Sequence, residues 1–385
     1  MYNIDLGALV KIPNAINFSL YPTNTNPNFN KNRDGSTLPY LQPEGILDLS
    51  NYTESLARFF NGVDLDKLQI IVNDILPQSD LSYCFYNSTF SDGSRISPIL
   101  DNLVEVSNLD YCFYRTSIDS IDILNSVNLA STGCSLRYTF GGCPNIVELV
   151  DIVIPDSVSS AEGIFSDNTN LITITNITIN SSIATKLLKG CSKLASITGV
   201  ITSPILESLL EDCYKLNDIS QFTIDSIPTN LKALVKGTKL LKTLNLENVD
   251  LSQNVYFDEM CMNSGVTMLK MRGQLGVRKS TWTNFISGTN NLYVDMSNSS
   301  LISNTFNNKN NFNGGNNFTV DFSNTDLSQY TTFKEYFANG NIKKLIIDGT
   351  KFSVSGVSFE NMCMNCTKLI EDVLFPANYV TNVTN

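Results

Sequence analysis

The sequence predicts an α/β repeat solenoid: a stack of about 13 repeats of 22–28 residues, with one parallel strand per repeat. Two periodicities running in phase predict it. An aromatic-plus-small motif recurs with its central apolar residue at 60, 85, 113, 140, 165, 188, 210, 234, 261, 285, 312, 337 and 363. A second pattern, apolar-x-apolar, runs in phase with the first, and its second anchors fall at Leu246, Met271, Met296, Phe322 and Ile347. Charged residues make up only 16% of the 385, and 47 asparagines carry much of the polarity, unlike an ordinary globular composition. A single repeat cannot bury its apolar face, whereas stacked neighbours build a continuous core.

In chain order, residues 1–50 lack the repeat. They hold Pro13, Pro22, Pro27, Pro39 and Pro43 and a polar run from Thr23 to Asp34, but also the apolar Ile16, Phe18, Leu20 and Tyr21. This segment reads as a terminal cap of the solenoid or as an anchor on a larger assembly. The solenoid occupies 51–385. Its early returns are Arg58-Phe59-Phe60, Tyr83-Cys84-Phe85-Tyr86 and Tyr111-Cys112-Phe113-Tyr114. The strands are clearest later, at Leu244-x-Leu246, Val294-x-Met296, Val320-x-Phe322 and Leu345-x-Ile347. Alternation with period two marks a short strand with one buried face. The apolar residue five places on (Leu251, Leu301, Leu327, Phe352) marks re-entry into the core after a turn. Each repeat is thus strand, turn, and a short helical or irregular return. The last coil exposes a sheet edge, which a partner chain or an unusual cap is expected to cover.

The strand frame Leu241-x-x-Leu244-x-Leu246 and Ile342-x-x-Leu345-x-Ile347 precedes returns of the form F-x-x-C-x-x-L. Examples are Phe140-Gly141-Gly142-Cys143-Pro144-Asn145-Ile146, Leu188-Lys189-Gly190-Cys191-Ser192-Lys193-Leu194 and Leu210-Glu211-Asp212-Cys213-Tyr214-Lys215-Leu216. Over roughly residues 55–385 the chain resembles a leucine-rich repeat of the BspA-like (Treponema-type) subfamily. It departs from that pattern in lacking a regular proline before each next repeat, in its degenerate copies around 86–136, and in an Asn-rich insert at 304–317. The resemblance implies a non-catalytic binding and adhesion surface of the kind found on bacterial cells, in some protists and in phage particles.

Charge and composition narrow the function. A formal net charge of −11 argues against a protein that reads nucleic-acid backbones with Lys and Arg. Histidine is absent, so Ser–His and Cys–His dyads and imidazole metal ligands are excluded. The N-terminal Met1-Tyr2-Asn3-Ile4-Asp5-Leu6 has no basic region followed by an apolar stretch, and no run of 18 apolar residues occurs, so neither export by a signal peptide nor membrane insertion is expected. Nine cysteines, an odd number in a long chain, are expected to be mainly thiols formed in a reducing cytoplasm.

Three constellations stand out. Cys363-x-x-Cys366 has the spacing of half a zinc or redox site, but both positions match core positions of other repeats, so buried structural thiols are expected. Asp295 and Asp321 are equivalent residues of adjacent strands and would lie about 5 Å apart, which is the strand spacing and also that of a retaining glycosidase pair. Alternation places Asn245, Glu247, Lys270, Arg272, Tyr293, Asp295, Thr319, Asp321 and Asp348 on the outward face of the strands, where a ligand laid across repeats would meet them. The expectation is a non-catalytic structural and adhesive protein, not an enzyme, without cofactor or metal. It would be a bacteriophage virion component such as a head or tail fibre or a decoration protein. Its partners would be itself, other particle proteins, or a host surface glycan or protein. A cell-surface BspA-like adhesin is the alternative, and a glycan-processing enzyme using Asp pairs is the third reading.

Overall fold

The period-two stretches of Leu, Ile, Val and Met fold as short parallel strands, and the strands stack into a parallel β-solenoid of about eight turns with little helix. This is a computed structural model, and it describes residues 45–382 apart from 51, 54, 253–254, 272–273, 276–281, 302–311, 329–331, 348–356 and 367–379. Of the expected N-terminal cap or anchor, residues 1–44 lie outside the described residues, and Gly45–Asp48 forms the first strand. The chain divides into two compact units, one ending at Ile146 and including Ser157–Ser159, the other made of Val147–Asp156 and Ser160 onward.

In the first unit β1 (Gly45–Asp48) pairs in parallel with β2 (Leu68–Ile71). Later coils of this unit contribute single parallel bridges, Leu76 to Leu103 and Val106 to Leu129, in place of strands. The turns, about eight, number fewer than the thirteen motifs. The core is a column of phenylalanines: Phe60, Phe85, Phe113 and Phe140 stack at 5.4 Å per step, with planes within 9° of parallel. Each stacked pair adds about 0.5–1.5 kcal/mol beyond the burial of its area.

The second unit holds two ladders. In one, β3 (Glu148–Val150), β5 (Thr173–Ile179), β6 (Ser196–Ile201) and β7 (Phe222–Ile224) run side by side, with β4 (Val153–Ile154) also on β5. In the other, the order is β8 (Thr243–Asn245), β9 (Met268–Lys270), β10 (Tyr293–Asp295), β11 (Asn316–Phe322) and β12 (Asn341–Ile347). Leu244, Leu269, Val294, Val320 and Leu345 lie in register and form one buried column, none more than 5% exposed. Where the first ladder stops and the second begins, β7 and β8 are not paired, and a cavity of about 500 Å³ opens between Phe222, Ile224, Leu209, Leu234 and Leu244. Phe222 and Ile224 are half-buried there, whereas Ile201 and Leu246, in the flanking coils, are buried.

The returns correct the expectation of an α/β fold. Helix among the described residues is confined to one turn, α1 (Ser97–Leu100), and three short 3₁₀ segments. The returns instead turn two corners, at positive-φ residues four apart: Tyr83 and Asn87, Lys186 and Gly190, Ser208 and Asp212, Ala233 and Gly237, Glu259 and Asn263. Alternate amides between the corners donate to the next coil, as Lys186 N to Glu207 O (2.8 Å), Leu188 N to Leu209 O (3.0 Å) and Gly190 N to Glu211 O (2.8 Å). The intervening amides close short turns, as Lys189 N to Lys186 O at 3.1 Å. With every second amide claimed by a neighbouring coil, an i to i−4 ladder cannot form. The second corner is filled mostly by Gly, Asn or Asp, the residues that enter the left-handed region most readily. The corner pattern also moves two anchors by one residue: Val235 and Ile286, not Leu234 and Phe285, occupy the central position.

The position three residues past the central residue carries a small donor that reaches a return carbonyl. Cys191 Sγ donates to Phe165 O (3.1 Å), Cys213 Sγ to Leu188 O (3.2 Å), Ser88 Oγ to Phe60 O (2.5 Å) and Thr238 Oγ1 to Val235 O (2.7 Å). Cysteine serves here as a buried weak donor that serine or threonine replaces elsewhere.

Candidate functional site

The strand register brings much of the expected row together. Asn245, Lys270, Asp295 and Asp321 occupy one line across β8 to β11, and Tyr293 and Thr319 lie side by side on the next. Glu247 lies beyond the end of β8 and pairs with Lys270 at 3.7 Å. Arg272 and Asp348 lie outside the described residues. The line is continued on β12 by Ile346, so it is not a uniform polar track.

The acidic residues of this line are engaged in holding the chain. As each strand ends, a side-chain oxygen accepts the amide two residues on: Asn245 Oδ1 from Glu247 N (3.0 Å), Asp295 Oδ1 from Ser297 N (3.0 Å) and Asp321 Oδ1 from Ser323 N (2.7 Å). Asp218, Asp250 and Asp326 make the same turn with Ser220, Ser252 and Ser328, each at 2.9 Å. Asn and Asp favour this geometry because the short side chain mimics a backbone turn. The remaining Asp321 oxygen, Oδ2, accepts the Tyr293 hydroxyl, and Asp295 Oδ1 also accepts Ser297 Oγ at 2.6 Å. Burial, and then the bond to Asp321, push the Tyr293 phenol above its ordinary range. Asp321 was expected to face outward; it is 9% exposed, folded under Tyr293. The equivalence of Asp295 and Asp321 is therefore that of two turn caps.

The cysteines follow the same logic. All nine are thiols, seven of them buried, and burial pushes Cys143 up to about 11 and Cys191 and Cys261 up to about 12. Cys363 and Cys366 are half-buried, and Cys366 Sγ donates to Phe337 O at 3.0 Å, the same bond that Cys191 and Cys213 make. Among the described residues no cluster of three or more His, Cys, Asp or Glu could hold a metal, and no helix is long and apolar enough to cross a membrane.

The outer positions of the returns form a second face, which the motif itself hid. In the first unit the central Phe85, Phe113 and Phe140 are buried and the tyrosines beside them are half-buried, whereas Phe285 and Tyr336, also beside the central position, are buried in the second. In the second unit these outer positions hold a ladder of opposite charges: Glu162 with Lys186 (2.9 Å), Glu211 with Lys189 (2.8 Å) and Lys236 (3.4 Å), and Lys236 with Glu259 (2.6 Å). In the first unit the same positions hold tyrosine and arginine. Tyr83, Tyr111 and Tyr138 stack at 4.8 and 4.9 Å, and Tyr86 and Tyr114 stack beside them at 5.4 Å. The Arg58 guanidinium lies 5.1 Å from the Tyr83 ring centre and that of Arg115 lies 5.3 Å from Tyr114. All five tyrosines are half-buried, and both arginines are exposed. Comparison of the chain with family models, with curated proteins and with solved structures finds no match.

Proposed function

We propose that the protein is a non-catalytic structural and adhesive solenoid, a component of a bacteriophage particle that presents a repeat surface to host glycan or protein. The observation that carries the reading is the engagement of the row's carboxylates. Asp295 and Asp321 spend their oxygens on turn amides and hydroxyls, and Glu247 spends its charge on Lys270. A glycosidase needs one carboxyl kept as an acid and the other left open to attack or to activate water. The finer reading of the fold, a BspA-like leucine-rich repeat, belongs to the same proposal. It is supported by the burial of Leu241, Leu244 and Leu246 in one frame and by the common role of Cys143, Cys191 and Cys213 in the returns.

The test is where the protein resides and what it does there. Purified virions are expected to contain the chain, and antibody against it to block adsorption to host cells. Labelling on the outside of intact cells, with none on virions, would favour a cell-surface adhesin. Turnover of any member of a glycan panel that is lost in Asp295→Asn or Asp321→Asn would overturn the non-catalytic reading.

A further inference from the structure

We propose that the tyrosine–arginine face of the first unit binds an acidic glycan that lies along the stacking direction. The proposal rests on the adhesive reading above and assigns it a site and a ligand class.

The geometry selects how a ligand can approach. The rings of Tyr83, Tyr111 and Tyr138 lie parallel within 10°, and those of Tyr86 and Tyr114 within 15°. Their faces are occupied by one another, and Arg58 covers Tyr83. Bases of single-stranded nucleic acid bind by stacking on open ring faces, and the faces between neighbouring rings here are already taken. It offers ring edges, the positive rim of the aromatic quadrupole, together with a double row of phenol groups. The two rows contact one another, Tyr111 against Tyr114 at 5.4 Å and Tyr83 against Tyr86 at 5.6 Å, so they form one surface.

Charge selects the class of ligand. The basic residues between 45 and 146 are Arg58, Lys67, Arg95, Arg115 and Arg137. Lys67 and Arg95 pair with Asp64 (3.9 Å) and Asp66 (3.4 Å). Among the described residues Arg58 and Arg115 make no ion pair; each is held against a tyrosine ring. Arg115 is also seated by Gly142, where a Cβ would meet its Cγ at 2.9 Å. A guanidinium fixed in this way presents its fork to a carboxylate or sulfate without further ordering. The same stretch carries twelve Asp and Glu, so the cationic character is confined to these two exposed guanidiniums.

Spacing selects the polymer. Hydroxyl-bearing rings recur every 4.8 to 5.4 Å, close to the length of one sugar residue in an extended chain. Same-face side chains of an extended peptide recur at about 6.8 Å, two residues of roughly 3.4 Å each, and drift out of step with the array. A polymer with one hydroxylated unit per coil and an anionic group at every second coil fits the row and the two guanidiniums.

The full-length protein would be titrated calorimetrically with uronate oligosaccharides, with sulfated oligosaccharides, and with neutral oligosaccharides of equal length. Binding of at least one acidic series is expected. It should tighten with chain length over a few residues and weaken with salt. The triple variant Tyr83→Phe, Tyr111→Phe, Tyr138→Phe keeps the stacked rings but lacks the hydroxyls, and should bind about tenfold more weakly or worse. Arg115→Lys, which keeps the charge but loses the fork, should also weaken binding. Circular dichroism of each variant should match the parent. Equal binding of neutral and acidic series, or unchanged affinity in both variants, overturns the assignment while leaving glycan adhesion at another face intact. Failure of every glycan overturns the assignment together with glycan adhesion. A protein ligand lost in the triple variant, with no glycan bound, overturns it in favour of a docking surface for protein.

Discussion

Gly237→Ala is the sharpest probe of how the coils register on one another. Gly237 sits at the second corner of its return with φ +77°, and its amide donates to Met262 O at 2.9 Å. A Cβ there would run into Oδ1 of Asp212, the residue at the equivalent corner of the preceding coil, with Asp212 Cα and Cγ both at 3.5 Å. Two costs arise. Holding alanine in the left-handed region costs about 1–2 kcal/mol. The Asp212 backbone is itself fixed, its amide donating to Lys236 O at 2.8 Å, so only its side chain can give way. Moving that side chain off its rotamer costs about 0.5–1.5 kcal/mol. The expected destabilisation is therefore about 1.5–3.5 kcal/mol. In an Asp212→Gly background the second cost vanishes and the first remains, so a double-mutant cycle should give a coupling of about 0.5–1.5 kcal/mol. Trp282 is the single tryptophan, buried in the same unit with its ring 4.2 Å from that of Phe257, and its fluorescence during urea unfolding reads the loss. A cost below about 0.5 kcal/mol, or the same cost in both backgrounds, would show that the corners do not stack as described.

Other consequences are open to simpler measurements. Asp295→Asn should change stability by less than about 0.5 kcal/mol, because Asn245 already makes the same turn two strands over; a larger loss in urea unfolding would mean that the carboxylate charge matters there. A thiol reagent at pH 8 should label Cys363 and Cys366 in the folded protein and all nine cysteines only in denaturant; labelling of Cys191 or Cys213 in the native state would contradict their burial. Glu211 is pushed up by burial, but hydrogen bonds from Lys189 and Ser208 and the charges of Lys189 and Lys236 outweigh this and hold its carboxyl below the ordinary 4.5. A depressed folded value gives stability that is present above the unfolded pKa and lost as pH falls through the folded one. The Trp282 unfolding midpoint should thus drop on acidification below about pH 4.5, and Glu211→Gln should flatten that drop. Amides of β7 should exchange faster than those of β6, because β7 has a strand on one side only and borders the cavity.

The periodicities made the solenoid legible because burial of a stacked core repeats with the coil. Leu244, Leu269, Val294 and Val320 fall in one column for the same reason that they fall at equal steps in the sequence. The nature of the return was not legible. Its short apolar run fits a helix as well as an irregular segment. What decides between them is a pair of left-handed corners four residues apart, signalled only by Gly, Asn and Asp at the second corner. That signal was present in Gly190, Asp212, Gly237 and Asn263, and it accounts for part of the asparagine excess without any appeal to function. Within the row of outward residues, Asn245, Lys270, Asp295 and Asp321 fall in register, and Asn245, Asp295 and Asp321 cap turns. Asx turns place Asp and Asn at strand ends for the backbone's sake, and a sequence pattern cannot separate that use from binding.

Columns that repeat with the coil thus carry little information about function, since most of their residues serve the coil itself. Departures from a column are more telling. At the outer return positions of the second unit, Lys and Glu alternate and cancel, as in Glu162–Lys186 and Glu211–Lys236–Glu259, which leaves a face that neither attracts nor repels strongly. In the first unit Tyr83, Tyr111 and Tyr138 stand at the corner that Lys186 and Glu259 occupy, and Tyr86 and Tyr114 stand where Glu211 and Lys236 do. Folding does not require the replacement, because the charge ladder meets the same backbone geometry, and the inner column of Phe60, Phe85, Phe113 and Phe140 already supplies the aromatic core. A second, half-exposed aromatic column is a cost in solubility that the coil does not ask for. Exchanging Tyr83 and Tyr111 for the lysine and glutamate of the second unit should accordingly leave the urea midpoint nearly unchanged while abolishing ligand binding. If the exchange instead unfolds the first unit, the tyrosines belong to its core and the distinction between the two columns fails.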